Sequence, residues 1–154
     1  MRKAAILSAL ATVLLLWNET PGAAEGGTAP EAQAMLDKAI DELKQNEAAA
    51  LVKFTRMDSG MVDRDLYVLC FNMTTGKFTA HINPALMGRD IRTITEKDGS
   101  PLGAKIYDAA KAVQETEMTT ISYKFPKPGS TAAVSKEMYV TRVGNQGCGI
   151  SYYK

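Results

Sequence analysis

Residues 65–84 read DLYVLCFNMTTGKFTAHINP, and they hold one of the two cysteines and the only histidine of a 154-residue chain. Leu66, Val68 and Cys70 alternate here with Tyr67, Leu69 and Phe71. Both faces of the extended segment are therefore apolar, the pattern of a strand in the interior of a sheet. TTGK, Thr74 to Lys77, supplies a glycine turn, and KFTAHI returns as a second strand ending at His81.

Upstream, Thr28 to Glu31 reads TAPE, a capping-box pattern with proline in the first helical turn. Leu36, Ile40, Leu43, Ala50, Leu51 and Phe54 follow at helical spacings, with charged residues between them. An amphipathic helix is predicted from about Pro30 to about Met57, laying one face on the core. MDSGMVDRD then breaks the chain before the apolar strand.

Earlier still, Arg2 and Lys3 precede an apolar run from Ala4 to Trp17 and the small-residue stretch Pro21 to Ala24. This is the layout of a secretory leader, and the run is shorter than the roughly 20 residues a membrane-crossing helix needs. We expect cleavage after Ala24, a retained N-terminal anchor being the alternative. Removing 24 of 154 residues leaves 130, one domain at 25–154. Removing two of 18 basic and one of 17 acidic residues leaves 16 of each. A neutral chain has no electrostatic bias toward nucleic acid or an anionic membrane. No later segment is apolar enough for a membrane span.

Downstream of the hairpin, NPALMGRDIRTITEKDGSPLG is polar and turn-rich, with Ser100 and Pro101 as cap and first helical residue. A second helix is predicted over about Leu102 to Gln114. Strands follow over about Met118 to Phe125, Lys136 to Val143 and Cys148 to Tyr153, separated by PKPGSTAAVS and GNQG. Strands in hairpin succession after a helix imply an α+β fold with a mainly antiparallel sheet.

Export would put Cys70 and Cys148 in an oxidising compartment, and a Cys70–Cys148 disulfide is predicted, with two buried thiols as the alternative. If the last strand lies beside the first, the two cysteines come within bonding reach.

The chain carries no haem attachment motif, no HExxH, no phosphate-binding glycine loop and no GxSxG. Asp58, Asp63 and Asp65 resemble the start of a calcium loop, but position twelve is Leu69 where a bidentate acid is required. One histidine cannot make a multi-histidine metal site. Neither metal, cofactor nor catalytic activity is expected.

The stretches LYVLCFNMTTGKFTAHINPALMGRDI, DGSPLGAKIYDAAK, SYKFPKPGS, SKEMYVTRVG and CGISYYK, in this order, resemble the single Cache domain, a PAS-like extracellular sensor module of bacteria. They run from Leu66 to Lys154. Thr120 and Phe125 stand where many relatives have tryptophan, and STAAV is less polar than the usual hairpin. The resemblance implies a long N-terminal helix on one face of a five-stranded antiparallel sheet of order 2-1-5-4-3. It implies a small-molecule pocket on the other face, roofed by the loop and helix between strands two and three. Ligands of such domains are small organic molecules, often carboxylates such as lactate, pyruvate, acetate or propionate. Full-length relatives are usually membrane receptors of signal transduction and chemotaxis. The expectation is a periplasmic or secreted carboxylate-binding domain without an output module of its own. The alternative is an interaction module docking on a membrane receptor, kinase or partner enzyme, with no free ligand.

Within that frame, His81 ends strand two where the roof loop begins and could donate a hydrogen bond to an anion. Lys136 opens strand four where the family has a lysine, able to pair with a carboxylate. Tyr123 and Tyr67 offer hydroxyls beside apolar ring surface. Asn83 and Met87 are candidates from the roof loop. For each the structural alternative is ordinary: loop-holding imidazole, strand-end lysine, core tyrosine, turn chemistry.

Overall fold

The computed structural model describes residues 26–58 and 60–154. The expected leader, residues 1–24, lies outside the described residues. Helix α1 spans Ala29–Arg56. Thr28 caps it reciprocally with Glu31: the Glu31 N–H donates to Thr28 Oγ1, and the Thr28 N–H donates to the Glu31 carboxylate. Met57 closes it in the left-handed conformation, its N–H reaching the carbonyls of Lys53 and Phe54. Ala32, Leu36, Ala39, Ile40, Leu43, Ala50 and Phe54 form the buried face. The periodicity predicts a continuous helix, but Asn46 interrupts it at φ −161°, ψ 98°. Asn46 Oδ1 accepts the Ala49 N–H at 3.1 Å, so the residue caps the second half as a helix start would. The break brings Glu47 to Gln146, whose amide donates to it at 2.8 Å and accepts from Thr79.

The first predicted strand divides. Leu66–Tyr67 (β2) pairs back onto Val62–Asp63 (β1) around Arg64, which has φ 55°. The Val68 N–H turns to the Met61 carbonyl, and Leu69–Asn72 (β3) then joins the main sheet. That sheet contains β3, Phe78–Ala80 (β4), Met118–Pro126 (β5), Ala133–Val143 (β6) and Gln146–Tyr153 (β7). All pairings are antiparallel, in the order β4-β3-β7-β6-β5. Counting the five main strands along the chain, this is the expected 2-1-5-4-3.

Cys70 and Cys148 face each other across β3 and β7, disulfide-bonded, with Cα atoms 4.1 Å apart and both residues fully buried. Pairing of the first and last main strands thus delivers the bridge. Strand β7 is divided between two cores by its alternation. Cys148, Ile150 and Tyr152 pack with α1, whereas Gly147, Gly149, Ser151 and Tyr153 face the opposite side. Gly147 lets the Phe71 ring approach the strand closely, since a Cβ there would stand 2.5 Å from it.

The opposite face is covered by the connection from β4 to β5. It runs through 3-10 turns at Pro84–Leu86 and Ile91–Thr93 into helix α2, Leu102–Ala112. Backbone bonds fasten this loop along β4: Phe78 N–H to the Arg89 carbonyl, Gly88 N–H to the Phe78 carbonyl. Helix α2 starts at Leu102 as expected and ends at Ala112, but Pro101 rather than Ser100 takes the cap position, with no side-chain cap. Ser100 is held instead in a turn on Asp98 Oδ1 at 2.9 Å. What seats α2 is Gly103, whose N–H donates to the Ile94 carbonyl at 2.8 Å. A Cβ on Gly103 would stand 1.7 Å from the Ile91 carbonyl oxygen, so glycine permits the contact.

Candidate ligand site

Between sheet and roof lies a cavity of about 300 Å³. Register sets its floor: Tyr123, Lys136 and Tyr153 form one cross-strand row and Ile121, Met138 and Ser151 the next, and of these Tyr123, Lys136, Met138 and Ser151 line the cavity. Five of the six candidate ligand residues line it: His81, Lys136, Tyr123, Tyr67 and Asn83. Met87 does not. Side chains three apart share a side of a 3-10 turn, so Asn83 and Leu86 face the cavity together. Met87, one residue on, lies instead beside Leu51, Val52 and Thr55 of α1.

Lys136 is 5% exposed on a strand interior. Its ammonium sits 4.4 Å from the centroid of the Tyr153 ring and makes no ion pair with any described carboxylate. Burial lowers its pKa below the ordinary lysine value, partly opposed by the charge of Asp65. Asp65, noted in the sequence only as part of a failed calcium-loop pattern, accepts the Gly27 N–H through Oδ1, while its buried Oδ2 has no hydrogen-bond partner.

His81 lies just beyond β4 and is 8% exposed. Tyr67 and Phe78 meet its ring edge to face, each with centroids 5.3 Å away. The Asn83 N–H donates to Nδ1 at 2.8 Å, which fixes the neutral tautomer with its proton on Nε2. Burial reinforces the neutral form, pulling the imidazole pKa down to about 4. The ring therefore holds the loop and still keeps one N–H donor. Asn83 spends its Oδ1 on the Ala85 N–H at 3.0 Å, capping the first 3-10 turn.

Burial raises the pKa of both Tyr67 and Tyr123, so their hydroxyls remain protonated donors. Ser151 adds a hydroxyl that sequence reasoning missed, as a lone serine in an apolar strand carries no signal. The remaining wall is apolar and includes Ile91, Ile94, Leu102, Ile106 and Met138. An outer groove of about 420 Å³ shares Tyr67, Ile82, Phe125 and Lys136 with the cavity, which makes those four its neck. Phe125 is 40% exposed there. A larger recess, about 840 Å³, at Gly26 and Lys154 adjoins the outer groove, sharing Arg64, Asp65, Lys127, Pro128 and Tyr153 with it. Among the described residues no group of three His, Cys, Asp or Glu could hold a metal, and no helix is long and apolar enough to cross a membrane.

No curated protein matches the chain. Three solved structures share its fold, each over 80% of this chain. A methyl-accepting chemotaxis protein from Vibrio parahaemolyticus is 20% identical, with TM-score 0.62 over 86% of its own chain. A periplasmic sensor domain of a chemotaxis protein is 22% identical, with TM-score 0.57 over 88% of its chain. A Cache chemosensory domain described for carboxylic acid recognition is 21% identical, with TM-score 0.57 over 86% of its chain. The family model of Single Cache domain 2 matches residues 2–152. Cache domains are extracellular or periplasmic sensor modules. Helix, strand order, roof and family match agree, and the chain belongs to the single Cache domain family.

Proposed function

We propose that this domain is exported by residues 1–24 as a leader and binds a small organic carboxylate in the cavity beneath α2, without chemical conversion. The observation that carries the reading is Lys136: a buried ammonium facing a cavity, reached by the charge of Asp65 but in no ion pair, is completed when an anion arrives. The carboxylate pairs with Lys136, and His81 Nε2, Tyr67 and Tyr123 are the donors around it. A neutral histidine suits this role, because it donates without adding a second buried charge. The carboxylic acid recognition reported for a structural relative supports the same ligand class.

A thermal-shift screen with small organic acids tests the reading. At a hundred times the dissociation constant a ligand stabilises the fold by about 2.7 kcal/mol. A melting temperature that no acid raises would overturn it.

A further inference from the structure

We infer that the ligand is a monocarboxylate with a bulky apolar tail, larger than a two- or three-carbon acid. The inference rests on the carboxylate reading above and concerns what lies beyond the carboxylate. Among the described residues Lys136 is the only lysine or arginine lining the cavity, and it stands at the neck, bordering both the inner chamber and the outer groove. A carboxylate held there leaves the rest of the ligand to point inward, under α2. Inward of Lys136 the next residue on its face of β6 is Met138, and the roof above supplies Ile91, Ile94, Leu102 and Ile106.

That end offers hydrocarbon and no charge. A second carboxylate placed there would lose its hydration without gaining a cation, since Arg64 and Lys127 line the outer groove and not the inner chamber, so a dicarboxylate is disfavoured beneath α2. Size points the same way. A cavity of about 150 Å³ takes up a benzene molecule, and this one measures about 300 Å³. Acetate or propionate would leave most of the apolar end unfilled, whereas a chain of about five to seven carbons or a phenyl ring covers it.

Calorimetric titration of the purified protein with the straight-chain acids from acetate to octanoate, with phenylacetate and adipate alongside, tests this. Each methylene that enters the apolar end strengthens binding by about fourfold, up to about hexanoate. Phenylacetate binds with the tighter members, and adipate binds at least tenfold more weakly than hexanoate. Ile94→Phe, a change at a partly exposed roof position, moves the optimum to a shorter chain. Equal or tighter binding of acetate or propionate, or of adipate, overturns the inference and leaves the carboxylate reading standing. Binding of none of these acids overturns both.

Discussion

The ammonium of Lys136 rests 4.4 Å from the centroid of the Tyr153 ring, and Asp65, the carboxylate whose charge reaches it, makes no ion pair with it. Aromatic rings compensate a desolvated cation by only about 2 kcal/mol, far less than an anion does. Lys136→Met should therefore separate stability from binding. Unfolding in urea is expected to show the variant as stable as the parent or about 1 kcal/mol more so, because a methionine is at ease where an unpaired ammonium is not. Carboxylate affinity in the same protein should drop at least tenfold. A variant that loses several kcal/mol of stability while keeping its affinity would contradict the assignment.

His81 makes the fold sensitive to acid. Its pKa is about 4 in the folded protein against an ordinary value of 6.5, so between these limits the unfolded chain binds more protons than the native one. Stability contributed by the neutral ring is fully present above pH 6.5 and is lost as pH falls toward 4. Protonation would also turn Nδ1 into a donor facing the Asn83 N–H, which breaks the loop contact. Denaturation midpoints measured across this range should fall by an amount equivalent to about 1 to 3 kcal/mol. His81→Gln should flatten that part of the profile.

Cys70–Cys148 closes a separation of 78 residues. Loop closure over that length is worth up to about 4 to 5 kcal/mol. Removal of both thiols by Cys70→Ala with Cys148→Ala should lower stability by about 2 to 4 kcal/mol, read from chemical denaturation. The bridge lies on the α1 face, away from the cavity, so carboxylate affinity under native conditions should change by less than threefold.

Gly103 lets α2 sit against the Ile91 turn. In Gly103→Ala the added methyl collides with the Ile91 carbonyl, backbone that cannot rotate away. The helix must lift, at about 1 to 3 kcal/mol, and the roof lifts with it. Loss of stability accompanied by a weakened preference for long-tailed acids is the expected pair of results. Unaltered melting and binding would show that the seat is looser than its geometry.

Burial patterns were easier to read than interruptions. Alternation in LYVLCF identified a doubly covered strand, but its peeling at Val68 depends on a hydrogen bond to Met61, which periodicity does not encode. The break at Asn46 carried a local sign, an excellent capping residue inside a helical pattern, yet the spacing of Leu43 and Ala50 runs through it unbroken. Strands β6 and β7 extend further than their apolar residues suggested, since Ala133–Ser135 and Gln146–Gly147 are held by pairing rather than by hydrophobicity. At the cavity, Lys136 and His81 were legible as polar residues at the ends of apolar strands. Ser151 and Asp65 were not, because their importance comes only from which neighbours the folded sheet sets beside them. Met87 shows the converse: being on the right loop does not decide which side of a tight turn a residue takes.

Along β7, residues facing the cavity or its outer groove and residues touching the long helix succeed one another, Ser151 and Tyr153 on one side, Ile150 and Tyr152 on the other. Each is a single peptide unit from its opposite number. A twist of that backbone cannot reposition the groups around a guest without tilting those that bear on α1, so the final strand is both wall and lever.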